Sequence, residues 1–73
     1  MPPKPLPYRE VKRKLEAAGF VEVSQKGSHV KFAKDTGEGL RTATAPKHRE
    51  VAVGTIRSIL RQAGVSYDEF EAL

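Results

Sequence analysis

Residues 20–46 read FVEVSQKGSHVKFAKDTGEGLRTATAP and contain three β-strand patterns separated by glycine-containing turns. The first strand contains aromatic and β-branched residues. The second alternates apolar with polar residues, and the third is rich in threonine. The predicted strands are residues 20–25, 28–34 and 40–45. Pro46 ends the third strand, because proline has no N–H to donate to a partner strand. Short turns at residues 26–27 and 35–39 predict that neighbouring strands pair antiparallel.

Helical patterns flank these strands on both sides. Before the strands, apolar residues recur every three or four positions between Pro7 and Gly19, which predicts a helix at about residues 8–18. After the strands, a second helix is predicted to begin at residue 51 or 53 and to end at Ala63, before the stop signal Gly64. The two apolar faces consist of Tyr8, Val11, Leu15 and Ala18, and of Ile56, Ile59, Leu60 and Ala63.

The two ends of the chain carry patterns of their own. Residues 1–6 are rich in proline and are predicted to form an irregular arm. Ser66 and Glu69 have the spacing of a capping box, which predicts a short acidic helix at about residues 67–72. Phe70 is expected to anchor that helix, and with it the segment 66–73, to the core.

These elements predict an α+β fold of order α-β-β-β-α, in which two helices cover one face of a three-stranded antiparallel sheet. A chain of this length buries too little surface for a second core, so residues 1–73 are expected to form a single domain. Alternation along the second strand places Val30 and Phe32 beneath the helices. The open face of the sheet is expected to present His29, Lys31 and Ala33.

The composition excludes several classes of protein. The 73 residues include no cysteine, which excludes a disulfide scaffold, a thiolate zinc site and a cysteine nucleophile. No apolar run approaches the roughly 20 residues that a membrane span needs. The first five residues lack the apolar segment of a signal peptide, so the cytoplasm is the expected location.

Positive charge is concentrated in the middle of the sequence. Residues 26–49 hold six basic side chains against Asp35 and Glu38, and this segment has a net charge of +4. Its basic residues are Lys26, Lys31, Lys34, Arg41, Lys47 and Arg49. Such a distribution suits either a polyanionic partner, with phosphate the leading candidate, or a solvated basic surface.

His29 is the candidate for chemistry, because histidine both accepts and donates protons near neutral pH. It follows a turn, and Lys26 and Lys31 are expected on the same face of the sheet, where they would attract a phosphodiester. An ordinary surface histidine is the more common explanation of such a residue when composition alone is considered. The motif therefore needs a second observation before it indicates catalysis.

His48 lies in the basic loop that follows Pro46 and is the second histidine of the sequence. A pair of histidines acting as acid and base is conceivable if the third strand brings His48 near His29. Exposure to solvent or contact with a phosphate is the more usual role for a loop histidine beside lysine. Two histidines without cysteine or suitably spaced carboxylates are a poor metal cage, so no metal or other cofactor is expected.

The sequence resembles the HicA family, the toxins of HicA–HicB toxin–antitoxin systems. One part of the resemblance is the element Lys-Gly-Ser-His-x-x-Phe at residues 26–32, preceded by Ala18-Gly19-Phe20. The other is Gly-Thr-Ile-Arg-Ser-Ile-Leu at residues 54–60, at the expected distance along the chain. Together the matching segments extend over about residues 8–71.

This resemblance implies a fold like that of double-stranded-RNA-binding domains, with His29 as the catalytic residue. It also implies cleavage of mRNA without a metal, and a HicB-like antitoxin that covers the site. We therefore expect a metal-independent endoribonuclease with His29 as general acid or base. The residues expected to contact RNA are Lys26, Gly27, Ser28, Lys31, Arg41, Lys47 and His48. Lys31, His48 and water are alternatives for the group that makes the second proton transfer.

Two other functions stay open on the sequence. An RNA-binding module of the same fold without chemistry would use the basic segment and the open sheet face equally well. A small interaction protein whose sheet face binds only another protein is the third possibility.

Overall fold

The computed structural model describes residues 3–73, so Met1 and Pro2 of the proline-rich arm lie outside the described residues. The elements follow the predicted order, and they include the short helix predicted at about residues 67–72. They are α1 (Tyr8–Ala17), β1 (Val21–Lys26), β2 (His29–Thr36), β3 (Gly39–Pro46), α2 (Val53–Ala63) and α3 (Tyr67–Ala72). The strands form one antiparallel sheet in the order β1-β2-β3. This arrangement confirms the predicted α+β fold and its likeness to double-stranded-RNA-binding domains.

The hydrophobic core lies between the helices and one face of the sheet. The expected apolar positions of α1 and α2 pack there together with Val30, Phe32 and Phe70. Val30 and Phe32 have no exposed surface, whereas His29 and Lys31 are exposed, which confirms the predicted alternation along β2. Ala33 lies on the open face in register but is only 5% exposed. Val21 and Thr42, its partners on the two neighbouring strands, flank its small side chain.

The connection between β2 and β3 is shorter than the sequence suggested. Asp35 and Thr36 belong to β2, and the turn itself consists of Gly37 and Glu38. The Thr36 hydroxyl donates to the Gly39 carbonyl oxygen at 2.7 Å and accepts from the Glu38 backbone N–H at 3.2 Å. This side chain closes the turn and extends both strands. Pro46 is the last residue of β3, paired with the first residue of β2.

The C-terminal helix α3 is capped at its start as predicted. The Ser66 hydroxyl accepts from the Glu69 backbone N–H, and the Glu69 carboxylate accepts from the Ser66 N–H. At its other end, the buried Lys14 ammonium donates to three backbone carbonyl oxygens; that of Phe70 also accepts from the Leu73 N–H, and that of Leu73 also accepts from Arg13. These acceptors belong to Phe70, Glu71 and Leu73, at 2.9, 3.2 and 3.2 Å.

The arm that precedes α1 is attached to the loop that precedes α2. Leu6 and Val51 exchange two backbone hydrogen bonds, with N–O distances of 3.1 and 2.7 Å. Pro7 restricts Leu6 to extended backbone, which is the conformation that such a pairing requires. None of the helices within residues 3–73 has the length and apolar character needed to cross a membrane.

Candidate active site

His29 is positioned by the two-residue turn between β1 and β2. Lys26 and His29 are paired across this turn, which consists of Gly27 and Ser28. Gly27 has a φ of +60°, and within residues 3–73 every residue with a positive φ is a glycine. In a type II′ turn, the first of the two turn residues has a positive φ and the second does not. This turn type therefore favours glycine at the first position. The Gln25 side-chain amide donates to the Gly27 carbonyl oxygen at 3.0 Å and braces the turn.

The open face around His29 is basic. Lys26 is the cross-strand partner of His29, and Lys31 lies two residues further along β2 on the same face. All three side chains are exposed, and no hydrogen bond or ion pair formed within residues 3–73 involves them. On the other side of β2, Thr44 lies opposite Lys31 and shares this face. The side chains are therefore available to an anionic ligand.

The basic loop after β3 lies at the same end of the sheet. Pro46 is the partner of His29, and the Lys47 backbone N–H donates to the Ser28 carbonyl oxygen. Lys47, His48 and Arg49 follow in sequence and are exposed. At its far end the loop is held by the pairing of Val51 with Leu6 described above. The turn that carries His29 and the basic loop thus form one continuous basic surface.

Arg41 is separated from the other expected RNA contacts. Its partner in β2 is Lys34, which has the same parity as Val30 and Phe32, so Arg41 lies on the helix side of the sheet. Its Nε donates to the Gln62 carbonyl oxygen at 3.2 Å. Arg41 and Pro46 are five residues apart in sequence, which corresponds to about 16 Å of strand. The structure therefore does not bring Arg41 together with His29.

Arg41 instead lines a cleft of about 450 Å³ together with Lys34, Gly64 and Glu69. A Cβ atom at position 64 would lie 2.5 Å from the Arg41 Cζ, so the guanidinium packs directly against the Gly64 backbone. Gly64 has a φ of +71° and ends α2. The Arg41 side chain is therefore packed at the junction between α2 and α3.

Two features of this end of the sheet were not among the expected site residues. Arg49 contributes a further positive charge to the loop, and its place in the basic segment was the available signal. The position of Thr44 on the face of His29 follows only from the register of β3, and that register depends on the length of the preceding turn.

The resolved pKa shifts lie away from His29, around α1. The hydrogen bond from Lys12 to Glu22, at 3.3 Å, raises the pKa of Lys12. The hydrogen bonds from Arg13 lower the pKa of Glu10. Glu22 is the partner of Phe32, on the helix side, so this carboxylate does not face the basic surface. Residues 3–73 contain no group of three or more His, Cys, Asp or Glu side chains arranged to hold a metal ion.

Comparison with known proteins identifies a family. A family model described as the HicA toxin of bacterial toxin-antitoxin matches residues 8–65. A search of curated proteins found no match to the chain. The matched range begins at the first residue of α1, includes the whole sheet and the His29 turn, and ends just after α2. Because this match extends over most of the chain and contains the basic surface, the chain belongs to the HicA toxin family of bacterial toxin–antitoxin systems.

Proposed function

We propose that this HicA-family toxin is an endoribonuclease that cleaves mRNA without a metal cofactor. The observation that carries the proposal is the exposed His29 beside Lys26 and Lys31, with the basic loop attached to its turn. RNA contains its own nucleophile, the ribose 2′-hydroxyl. The protein then has to hold the phosphate and move protons, and these side chains suit both tasks.

The proposed reaction is an in-line displacement at phosphorus. The 2′-oxygen forms a bond to the adjacent phosphorus while the bond from phosphorus to the 5′-oxygen breaks. One proton leaves the 2′-hydroxyl and one is delivered to the departing 5′-oxygen, which yields a 2′,3′-cyclic phosphate and a 5′-hydroxyl. His29 performs one of these transfers as general base or general acid. Lys31, His48 and water are the candidates for the other.

The phosphate would be held at the end of the sheet where the turn and the loop meet. Lys26, Lys31 and Lys47 supply positive charge that offsets the charge of the phosphorane-like transition state. Gly27 and Ser28 present backbone and hydroxyl groups at the turn, and no side chain at Gly27 blocks an approaching phosphate. Arg41 is not assigned to this phosphate because it lies on the helix side of the sheet. A site with one assigned proton carrier predicts a slow enzyme.

The physiological partner would be a HicB-like antitoxin, and the substrate mRNA would be met in the cytoplasm. Family membership supports an antitoxin partner in general. The net charge of +4 over residues 26–49 supports a partner with a complementary acidic surface.

The experiment uses a transcript with a 5′ label, incubated with the purified protein in EDTA. A second transcript of the same sequence carries 2′-O-methyl groups throughout. We expect fragments ending in 2′,3′-cyclic phosphate from the first transcript and none from the second, with both transcripts bound. Binding without cleavage of either transcript would instead support an RNA-binding module, and absence of both would support an interaction protein.

A further inference from the structure

The open face of the sheet consists of two chemically different halves. The half around His29 is basic, as described above. The other half is aliphatic, and it holds every large hydrophobic side chain that is exposed within residues 3–73. These residues are Val21, Val23 and Leu40, which are 60%, 52% and 70% exposed. We call the surface formed by Val21, Val23 and Leu40 around the nearly buried Ala33 the aliphatic half; the exposed Asp35, opposite Leu40, lies at its edge.

The register of the sheet brings these side chains to one face. Val21 is the partner of Ala33, and Leu40 is the partner of Asp35. Ala33 and Asp35 have the same parity as His29, so Val21 and Leu40 lie on the open face. Val23 is the extra residue at the β-bulge between Glu22 and Ser24. Single exposed hydrophobic residues need no explanation, but their confinement to one sheet face does.

RNA does not account for the aliphatic half. Valine and leucine side chains neither donate hydrogen bonds to phosphate nor carry charge, and they offer no aromatic ring on which a base stacks. Burial against the apolar surface of another protein would remove them from water favourably. A protein that lies on this face would also reach Lys31 and Lys26, so carboxylates at the edge of its apolar surface would be favoured.

We infer that the aliphatic half is the docking surface of the antitoxin, which presents an apolar patch bordered by acidic side chains. This inference rests on the proposed function, because the activity that the antitoxin would inhibit is the proposed cleavage of RNA. Ala33 lies four residues along β2 from His29, about 13 Å of strand. Docking and catalysis thus use separate residues of one face, and the docked partner extends over the basic half and blocks access of RNA to it.

The experiment compares the parent with a double variant, Val21→Thr and Leu40→Thr, which keeps strand-forming side chains and removes aliphatic surface. The probe is the purified antitoxin of the toxin–antitoxin system to which this toxin belongs. We expect its affinity for the double variant to fall by about 10- to 100-fold, the scale of losing two buried aliphatic contacts. Cleavage of labelled RNA by the variant alone should equal that of the parent, and more antitoxin should be needed to stop it.

A matched control is Thr42→Val, which replaces a hydroxyl by a methyl group on the same face beside Ala33. It should keep or strengthen antitoxin affinity. Equal affinity of the parent and the double variant would overturn the inference, as would a homodimer of the toxin that the double variant dissociates. If neither protein cleaves RNA but the affinity still falls, the docking surface stands and the proposed function fails.

Discussion

The Lys47 backbone N–H donates a hydrogen bond to the Ser28 carbonyl oxygen, which attaches the loop after β3 to the turn before His29. The two segments are far apart in sequence, and each contains basic side chains. Their attachment brings Lys47 to the same end of the sheet as Lys26 and His29.

Replacement of His29 by alanine should remove cleavage while leaving the fold intact. The side chain is exposed, so the free energy of unfolding should change by about 0.5 kcal/mol or less. Loss of the proton carrier should slow cleavage by about 10²- to 10⁴-fold. Cleavage of a labelled transcript and a thermal melt, measured on the same preparation, check both statements.

The control for that experiment is Val30→Ala, at the neighbouring position on the buried face. Val30 has no exposed surface, so its truncation should cost about 1–3 kcal/mol and lower the melting temperature. Cleavage at low temperature should persist. If His29→Ala cleaves at the parental rate, the assignment of His29 fails and an RNA-binding module becomes the better explanation.

Lys31 and Arg41 form a matched pair, because both are exposed basic residues of the sheet but lie on opposite faces. Lys31→Ala should weaken binding to all RNA sequences alike and reduce the slope of log affinity against log salt by about 0.7. Arg41→Ala should leave RNA affinity and its salt dependence unchanged. Fluorescence titrations at several salt concentrations measure both quantities; an equal loss of affinity in the two variants would contradict the separation of the two faces.

Lys14→Met should destabilise the C-terminal helix. The substitution keeps an apolar stem but removes the Lys14 donor of the Glu71 carbonyl oxygen and one of two donors from the carbonyl oxygens of Phe70 and Leu73, at a cost of about 1–3 kcal/mol. Amide exchange in α3 should accelerate and the melting temperature should fall.

Lys12→Met is the control for Lys14→Met. Its ion pair with Glu22 is substantially exposed, and such pairs contribute little to stability because water and salt screen them. Equal destabilisation by the two substitutions would show that the three carbonyl contacts of Lys14 have no special weight.

Leu6→Pro should loosen the basic loop without disturbing the sheet. Proline at this position removes the N–H that donates to the Val51 carbonyl oxygen, while its extended backbone still suits the arm. The Val51 amide should exchange faster, and RNA affinity should fall because the loop is less ordered. Leu6→Ala, which keeps both backbone hydrogen bonds, should retain the protection of Val51. Protection that persists in Leu6→Pro would show that the arm does not hold the loop.

Most of the fold was predictable because its signals are local. The periodicity of α1 and α2 and the alternation along β2 each depend on residues close in sequence, and the structure confirms them. The orientation of Arg41 was not predictable from the expected five-residue turn. The observed turn has two residues, so Thr36 pairs with Gly39, and Arg41 consequently pairs with Lys34 on the helix side.

The loop attachments have no periodic signal at all. The pairing of Leu6 with Val51, and of Lys47 with Ser28, joins backbone groups that any residue carries. Sequence patterns report which side chains prefer burial, but they do not report which distant carbonyl a given N–H reaches. The composition of the basic surface was therefore expected in large part, while its assembly came only from the structure.

Every side chain of β1 is exposed, and this leaves the strand without a burial preference to fix its alignment. Strands with one buried face resist sliding because a shift of one residue would expose their apolar side chains. In β1 the alignment is set by the Gly27–Ser28 turn, the bulge at Val23 and the contact of Glu22 with Lys12. A one-residue insertion in the turn that shifted the pairing of β1 would carry Lys26 to the opposite side from His29, and the resistance to that shift comes from Phe20, which is buried in the core directly before β1.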